Sequence, residues 1–202
     1  MLLIRQLCLE RYFQPVFQPL SFELSEGELM VVTGPNGSGK TTLIRLLAGL
    51  LDPTEGSVNN SAQSFQYVGH TSAVKADLSV VENLQFSARL YGSNANVESA
   101  ITTMSLDECA EQTGRTLSAG QRKRTALARL LLSKADLWLL DEPYTNLDTD
   151  GIALVDRLLD QHLSGGGAAV IATHGAHRPA SASDNASWQI REISLGHLEQ
   201  AA

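Results

Sequence analysis

Leu20, Phe22 and Leu24 alternate with Ser21 and Glu23, the period of a strand buried on one face. Leu29-Met30-Val31-Val32 is a continuous apolar run, as are Leu137-Trp138-Leu139-Leu140 and Ala168-Ala169-Val170-Ile171-Ala172. Such runs predict strands covered on both faces, as in a parallel sheet. Residues 188–195 predict one more, late strand. Over 41–50 the period changes: Leu43, Leu46, Leu47 and Leu50 share one helical face. Residues 79–91, 96–104 and 118–134 predict three further helices, and 57–64, with Asn59-Asn60, a turn or weak hairpin. Strands interleaved with helices give an α/β fold with a mostly parallel sheet. We expect one domain over 1–202, with a core over about 1–70 and 135–202 and a helical subdomain over about 71–134.

Composition narrows this frame little. With 43% apolar and 18% charged residues, the chain is ordinary for a soluble protein, and 202 residues suffice for one sizeable core. The charge balance is 15 − 22 = −7, which offers no basic footprint and predicts no nucleic-acid partner. Cys8 and Cys109 have no paired spacing, and read as packing residues in a reducing compartment. No apolar run approaches the ~18 residues of a membrane span. Leu2-Leu3-Ile4 before Arg5 is too short for a signal peptide, so a cytosolic location is expected.

Chemistry enters at Gly34-Pro35-Asn36-Gly37-Ser38-Gly39-Lys40-Thr41, a G-x-x-x-x-G-K-T sequence between a buried strand and a helix. Its glycines let backbone N–H groups converge on phosphate oxygens, and the helix N-terminus adds its dipole. Lys40 supplies a point charge to the β- and γ-phosphates and Thr41 a hydroxyl to Mg²⁺, with Thr42 a further candidate contact. Asp141 ends the run 137–140, where a carboxylate can hold Mg²⁺. Glu142, one residue on, could take a proton from the attacking water. Together these say P-loop NTPase, with a nucleoside triphosphate and Mg²⁺, and no more; ATP as the nucleotide is what the resemblance below implies.

Leu117-Ser118-Ala119-Gly120-Gln121 adds the discriminating feature. Ser118 is a plausible N-cap, and the small residues after it leave amides open at a helix start. Arg122, Lys123 and Arg124 in the first turn oppose the helix dipole, which is easier to understand if an anion sits there. The order of motifs resembles the ABC ATPase family over essentially the whole chain. The family's L-S-G-G-Q stands here as Leu117–Gln121, with Ala119 for a glycine and Ser118, Gly120 and Gln121 retained. The resemblance makes Asp148, in Asn146-Leu147-Asp148, the D-loop aspartate, and His174 the switch histidine that contacts the γ-phosphate. It asks for an aromatic stacked on adenine early in the chain, where Tyr12 or Phe13 could serve. His162, His177 and His197 lie in polar surroundings and read as surface residues.

The family places a glutamine nine residues before the second position of its L-[TS]-x-x-E-N segment, here Leu78–Asn83, and that position holds His70. Gly69-His70, Lys75 and the Leu-Ser-Ala-Gly-Gln signature resemble the ATP-binding subunits of bacterial cytochrome c maturation. The resemblance implies a homodimer whose Ser118 closes over the nucleotide held by the other copy's Lys40, with catalysis through Asp141, Glu142 and His174. It also implies separate integral membrane subunits, a haem-chaperone complex, and a peripheral place on the cytoplasmic face of the bacterial inner membrane. The rival readings are the ATPase of an ABC transporter with other cargo, and a soluble ABC ATPase acting on ribosomes or DNA.

Overall fold

The computed structural model describes residues 1–174, 177, 179 and 188–196. The chain opens with a strand the hydrophobic pattern did not disclose, β1 (Leu2–Cys8), followed by the short hairpin β2 (Glu10–Arg11) and β3 (Gln14–Pro15). β4 (Leu20–Leu24) pairs antiparallel with β1, and β5 (Glu28–Thr33) runs into the P-loop and α1 (Lys40–Leu47). The 57–64 segment, expected as a turn or weak hairpin, gives its first half to a strand, β6 (Glu55–Asn60), because the other edge of β1 receives it with Ile4 opposite Val58. Leu50 also departs from expectation: Gly49, at φ 66°, turns the chain after α1 and leaves Leu50 exposed.

Next come β7 (Phe65–Val68), α2 (Val80–Leu90), α3 (Val97–Thr103), α4 (Ala119–Ala128) and β8 (Leu137–Asp141). The helix expected over 118–134 stops at Ala128; Arg129–Leu132 tightens into a 3-10 turn before Ser133 becomes extended. Beyond β8 lie α5 (Thr149–Ser164), β9 (Ala168–Ala172) and β10 (Gln189–Ser194). The main sheet has the order β10-β5-β9-β8-β7, and each pairing in it is parallel.

The continuous apolar runs serve two faces. Leu29, Val31, Trp138, Leu140, Ala169 and Ile171 join one hydrophobic cluster, which α2, α3, α4 and α5 cover. Met30, Val32, Leu137, Leu139, Val170 and Ala172 join the other, covered by α1 and the strands β1 and β4. Successive side chains of a strand point to opposite faces, so a strand between two layers needs apolar residues at every position. Among the described residues, no helix is long and apolar enough to cross a membrane.

Candidate nucleotide site

The parallel sheet brings three motif-bearing segments to one edge. The P-loop follows β5, Asp141 closes β8, and His174 lies just past β9. Val32 pairs with Ala172 and Ala172 with Asp141, so these strand ends are level. Ligands of open α/β sheets bind beyond the carboxyl ends of the strands. A cleft of about 510 Å³ opens there, lined by Thr33, Gly34, Pro35, Asn36, Thr173 and His174.

Gly34, Gly37 and Gly39 take φ values of 144°, 82° and 95°. A Cβ would meet the Leu195 carbonyl oxygen at 2.3 Å from Gly34 and the Phe17 ring at 2.8 Å from Gly39, so neither position has room for a side chain. The buried Lys40 ammonium donates to the carbonyl oxygens of Gly34 and Pro35 at 2.7 and 3.0 Å. Ser38 and Thr42 are buried too, and Ser38 Oγ has no hydrogen-bond partner among the described residues.

Thr41 Oγ1 donates to Asp141 Oδ1 at 3.2 Å, while the other oxygen of this fully buried carboxylate has no hydrogen-bond partner among the described residues. A buried carboxylate oxygen without a donor, next to a threonine hydroxyl, fits a hard cation that prefers oxygen ligands. No group of three His, Cys, Asp or Glu side chains among the described residues could hold a metal alone.

Glu142 sits at φ 53°, a left-handed conformation that costs a non-glycine residue about 1–2 kcal/mol. Its N–H donates to the Ala172 carbonyl oxygen at 2.9 Å, which anchors the bend. Its buried carboxylate lies 3.3 Å from Nδ1 of the half-exposed His174. Backbone strain held this firmly is typical of functional turns.

Ser118 caps α4 as expected: its Oγ accepts from the Gln121 N–H, and the Gln121 side chain accepts from the Ser118 N–H. The three cations after it do not form an open anion site. Arg122 donates to the Leu117 carbonyl oxygen at 3.0 Å and Arg124 to that of Ser105 at 3.4 Å. Lys123 is buried and reaches the main-chain carbonyl oxygen of Asp141 at 3.4 Å. Burial pushes its pKa down to about 8, with Asp141 and Glu142 opposing the shift. Its place five residues after Ser118 marks it as helical, but nothing in the sequence shows that it points inward.

Asp148 is exposed, and its carboxylate caps α5 by accepting from the Gly151 N–H at 2.9 Å. Tyr12 and Phe13 form the tip of the β2–β3 hairpin, both fully exposed and at φ 53° and 62°, and the geometry does not choose between them. His70 is exposed just past β7, apart from the residues lining the cleft. The L-S-x-x-E-N segment proves largely architectural. Ser79 and Glu82 form a capping box, and Asn83 bonds Lys75, Leu78 and Ser79 to brace the loop leading from His70.

Two histidines read as surface residues are engaged instead. His162 stacks on Trp138 at 3.9 Å and bonds the Ala168 carbonyl oxygen at 3.0 Å; burial lowers its pKa. His177 bonds Asp156, which also accepts from the Tyr144 hydroxyl at 2.8 Å. His197 lies outside the described residues.

Comparison with known proteins agrees with this geometry. The model of the ABC transporter family matches residues 17–145. A relative from Xanthomonas axonopodis pv. citri, named cytochrome c biogenesis ATP-binding export protein CcmA, is 48% identical over 188 residues, 88% of each chain. One of the same name from Roseobacter denitrificans is 40% identical, covering 85% of this chain and 82% of its own. The dimeric structure of a bacterial ABC transporter cassette superposes with a TM-score of 0.77 at 21% identity, over 97% of this chain and 94% of that one. The fold is therefore the α/β P-loop NTPase fold of ABC type.

Proposed function

We propose, since this chain belongs to the ABC transporter family, that it is the ATP-hydrolysing subunit of a membrane complex serving cytochrome c biogenesis. The observation that carries the ATPase reading is the meeting of Lys40, the Thr41–Asp141 pair and the Glu142–His174 pair at one sheet edge. The biological setting rests on the name borne by the relatives that are 48% and 40% identical.

In this reading the P-loop amides of 34–41 and Lys40 hold the phosphates of ATP. Thr41 and Asp141 hold Mg²⁺, which when bound neutralises charge on the phosphate oxygens. Glu142 accepts the proton of the attacking water, and His174 orients Glu142 and contacts the γ-phosphate. Tyr12 or Phe13 stacks on adenine. Two copies pair head to tail, so Ser118, Gly120, Gln121 and Asp148 of one complete the nucleotide site of the other. Residues 71–134 form the helical lobe, which transmits closure to separate integral membrane subunits, and the chain sits peripherally on the cytoplasmic face of the inner membrane. Haem or a haem-chaperone complex is the cargo handled there.

Haem-stained gels of a deletion strain test the setting. Covalent haem should vanish from c-type cytochromes while b-type cytochromes persist; unchanged c-type bands would assign the chain to another transporter.

His70 occupies the position that couples site and helical lobe. An imidazole nitrogen is a poor Mg²⁺ ligand, so His70 acts through a hydrogen bond or a bridging water. Losing one such bond, about 0.5–1.5 kcal/mol, should lower the partner-stimulated ATPase of His70→Ala by roughly 2- to 13-fold and leave ATP binding intact. His70→Gln should retain most stimulation, because an amide can make a similar bond. Full stimulation and complementation by His70→Ala would remove His70 from the coupling route.

A further inference from the structure

Lys123 is a cation buried on the signature helix and turned toward its own chain's acidic turn. It is 5% exposed, and among the described residues its one hydrogen bond is to the Asp141 carbonyl oxygen at 3.4 Å. Burying an ammonium costs several kcal/mol unless charge and hydrogen bonding offset it. Here the offset comes from the Asp141 and Glu142 carboxylates, while Arg129 opposes it. An apolar side chain would fill this position without that cost, so packing alone does not account for a lysine.

The same helix touches the acidic turn at a second point. A Cβ on Gly120 would stand 2.9 Å from the Asn146 carbonyl oxygen, so the first turn of α4 is wedged against the loop between Glu142 and Asp148. The N-terminus of α4, capped by Ser118, is thus fixed by contact to both ends of the segment 141–146.

We infer that Lys123 is a positioning residue that couples the two nucleotide sites of the dimer. This inference rests on the head-to-tail pairing proposed above. In that pairing α4 meets the nucleotide held by the partner, whereas Lys123 holds the carbonyl of the residue preceding the chain's own Glu142. A shift of α4 on engaging one nucleotide therefore moves the acidic turn that serves the other. The opening and closing of the pair is the two-state element such coupling requires.

A double-mutant cycle tests it, with mixed dimers purified through two different tags. Lys40→Ala in one protomer empties that protomer's own site, so the α4 of its partner engages no nucleotide. Lys123→Met in that partner cuts the link directly and keeps the side chain's bulk. Each change alone should slow hydrolysis at the partner's site by a similar factor of about 10, and the two together by no more than either alone. Lys123→Arg should restore most of the rate, and Lys123→Met should leave the affinity of its own chain's site for a fluorescent ATP analogue unchanged. Multiplying effects, about 100-fold together, would show that Lys123 merely supports the acidic turn and overturn the inference. So would an unaltered rate in Lys123→Met, or nucleotide affinity lost in that variant. If the unmodified chain forms no ATP-dependent dimer, the pairing itself fails, separately from Lys123.

Discussion

Glu142→Gln should lower ATP turnover by about 10²–10⁴-fold, the usual worth of a positioned general base, while the protein still binds MgATP. The amide is nearly isosteric with the carboxylate and fits the same left-handed bend at φ 53°. It leaves Lys40 on the P-loop carbonyls and the Thr41–Asp141 pair in place. What it removes is the capacity to accept a proton, together with the charge facing His174 at 3.3 Å. Closing without hydrolysing, the variant should accumulate as an ATP-bound dimer, seen as a doubling of mass by light scattering when MgATP is added. Turnover within a few-fold of the unmodified chain would remove Glu142 from the role of base.

Ser118→Arg should abolish both ATP-dependent dimerisation and turnover in the pure variant. Ser118 is exposed at the start of α4, so a large side chain there need not disturb the core. Losing the N-cap costs about 0.5–2 kcal/mol, a small share of a typical domain's stability, and the folded monomer should survive. The guanidinium would stand where the γ-phosphate of the partner's nucleotide must approach. Binding of a fluorescent ATP analogue to the monomer should be unaffected, because Lys40 and the P-loop lie elsewhere. Turnover falling by less than about 10-fold would contradict a shared site.

Much of this organisation was legible in the chain. Runs such as Leu29–Val32 and Leu137–Leu140 mark the buried strands, because both faces of the sheet are covered. β1 and β6 were not legible. The first is irregular, with its register broken between Ile4 and Leu7, and the second carries Gly56, Asn59 and Asn60, which read as turn residues. Their pairing is a long-range choice that no local pattern encodes. α5 escaped notice although its signals are present: Asp148 caps it and Leu154, Val155, Leu158 and Leu159 form its buried stripe.

The site divides the same way. Residues defined by backbone chemistry, the P-loop glycines and Asp141 at a strand end, stand out because spacing alone constrains them. Lys123 does not: its neighbours Arg122 and Arg124 share its charge, and only in the folded chain does the Asp141 carbonyl oxygen meet it and turn it inward. His162 and His177 were misread for the same reason. Their partners Trp138 and Asp156 lie 24 and 21 residues away in the chain (162 − 138 and 177 − 156) and meet them only in the folded state.

Mixing Lys40→Ala with Ser118→Arg tests most directly that two copies build each site together. Every chain carries Glu142→Gln so that closed pairs persist, and their mass is followed by light scattering with MgATP. In a head-to-tail pair of the two variants both lesions fall in one site, leaving the other intact. Neither variant should dimerise alone, whereas the mixture should form a heterodimer that disappears when ATP is removed. A mixture that stays as monomeric as its components, or a Ser118→Arg protein that closes by itself, would contradict the shared site.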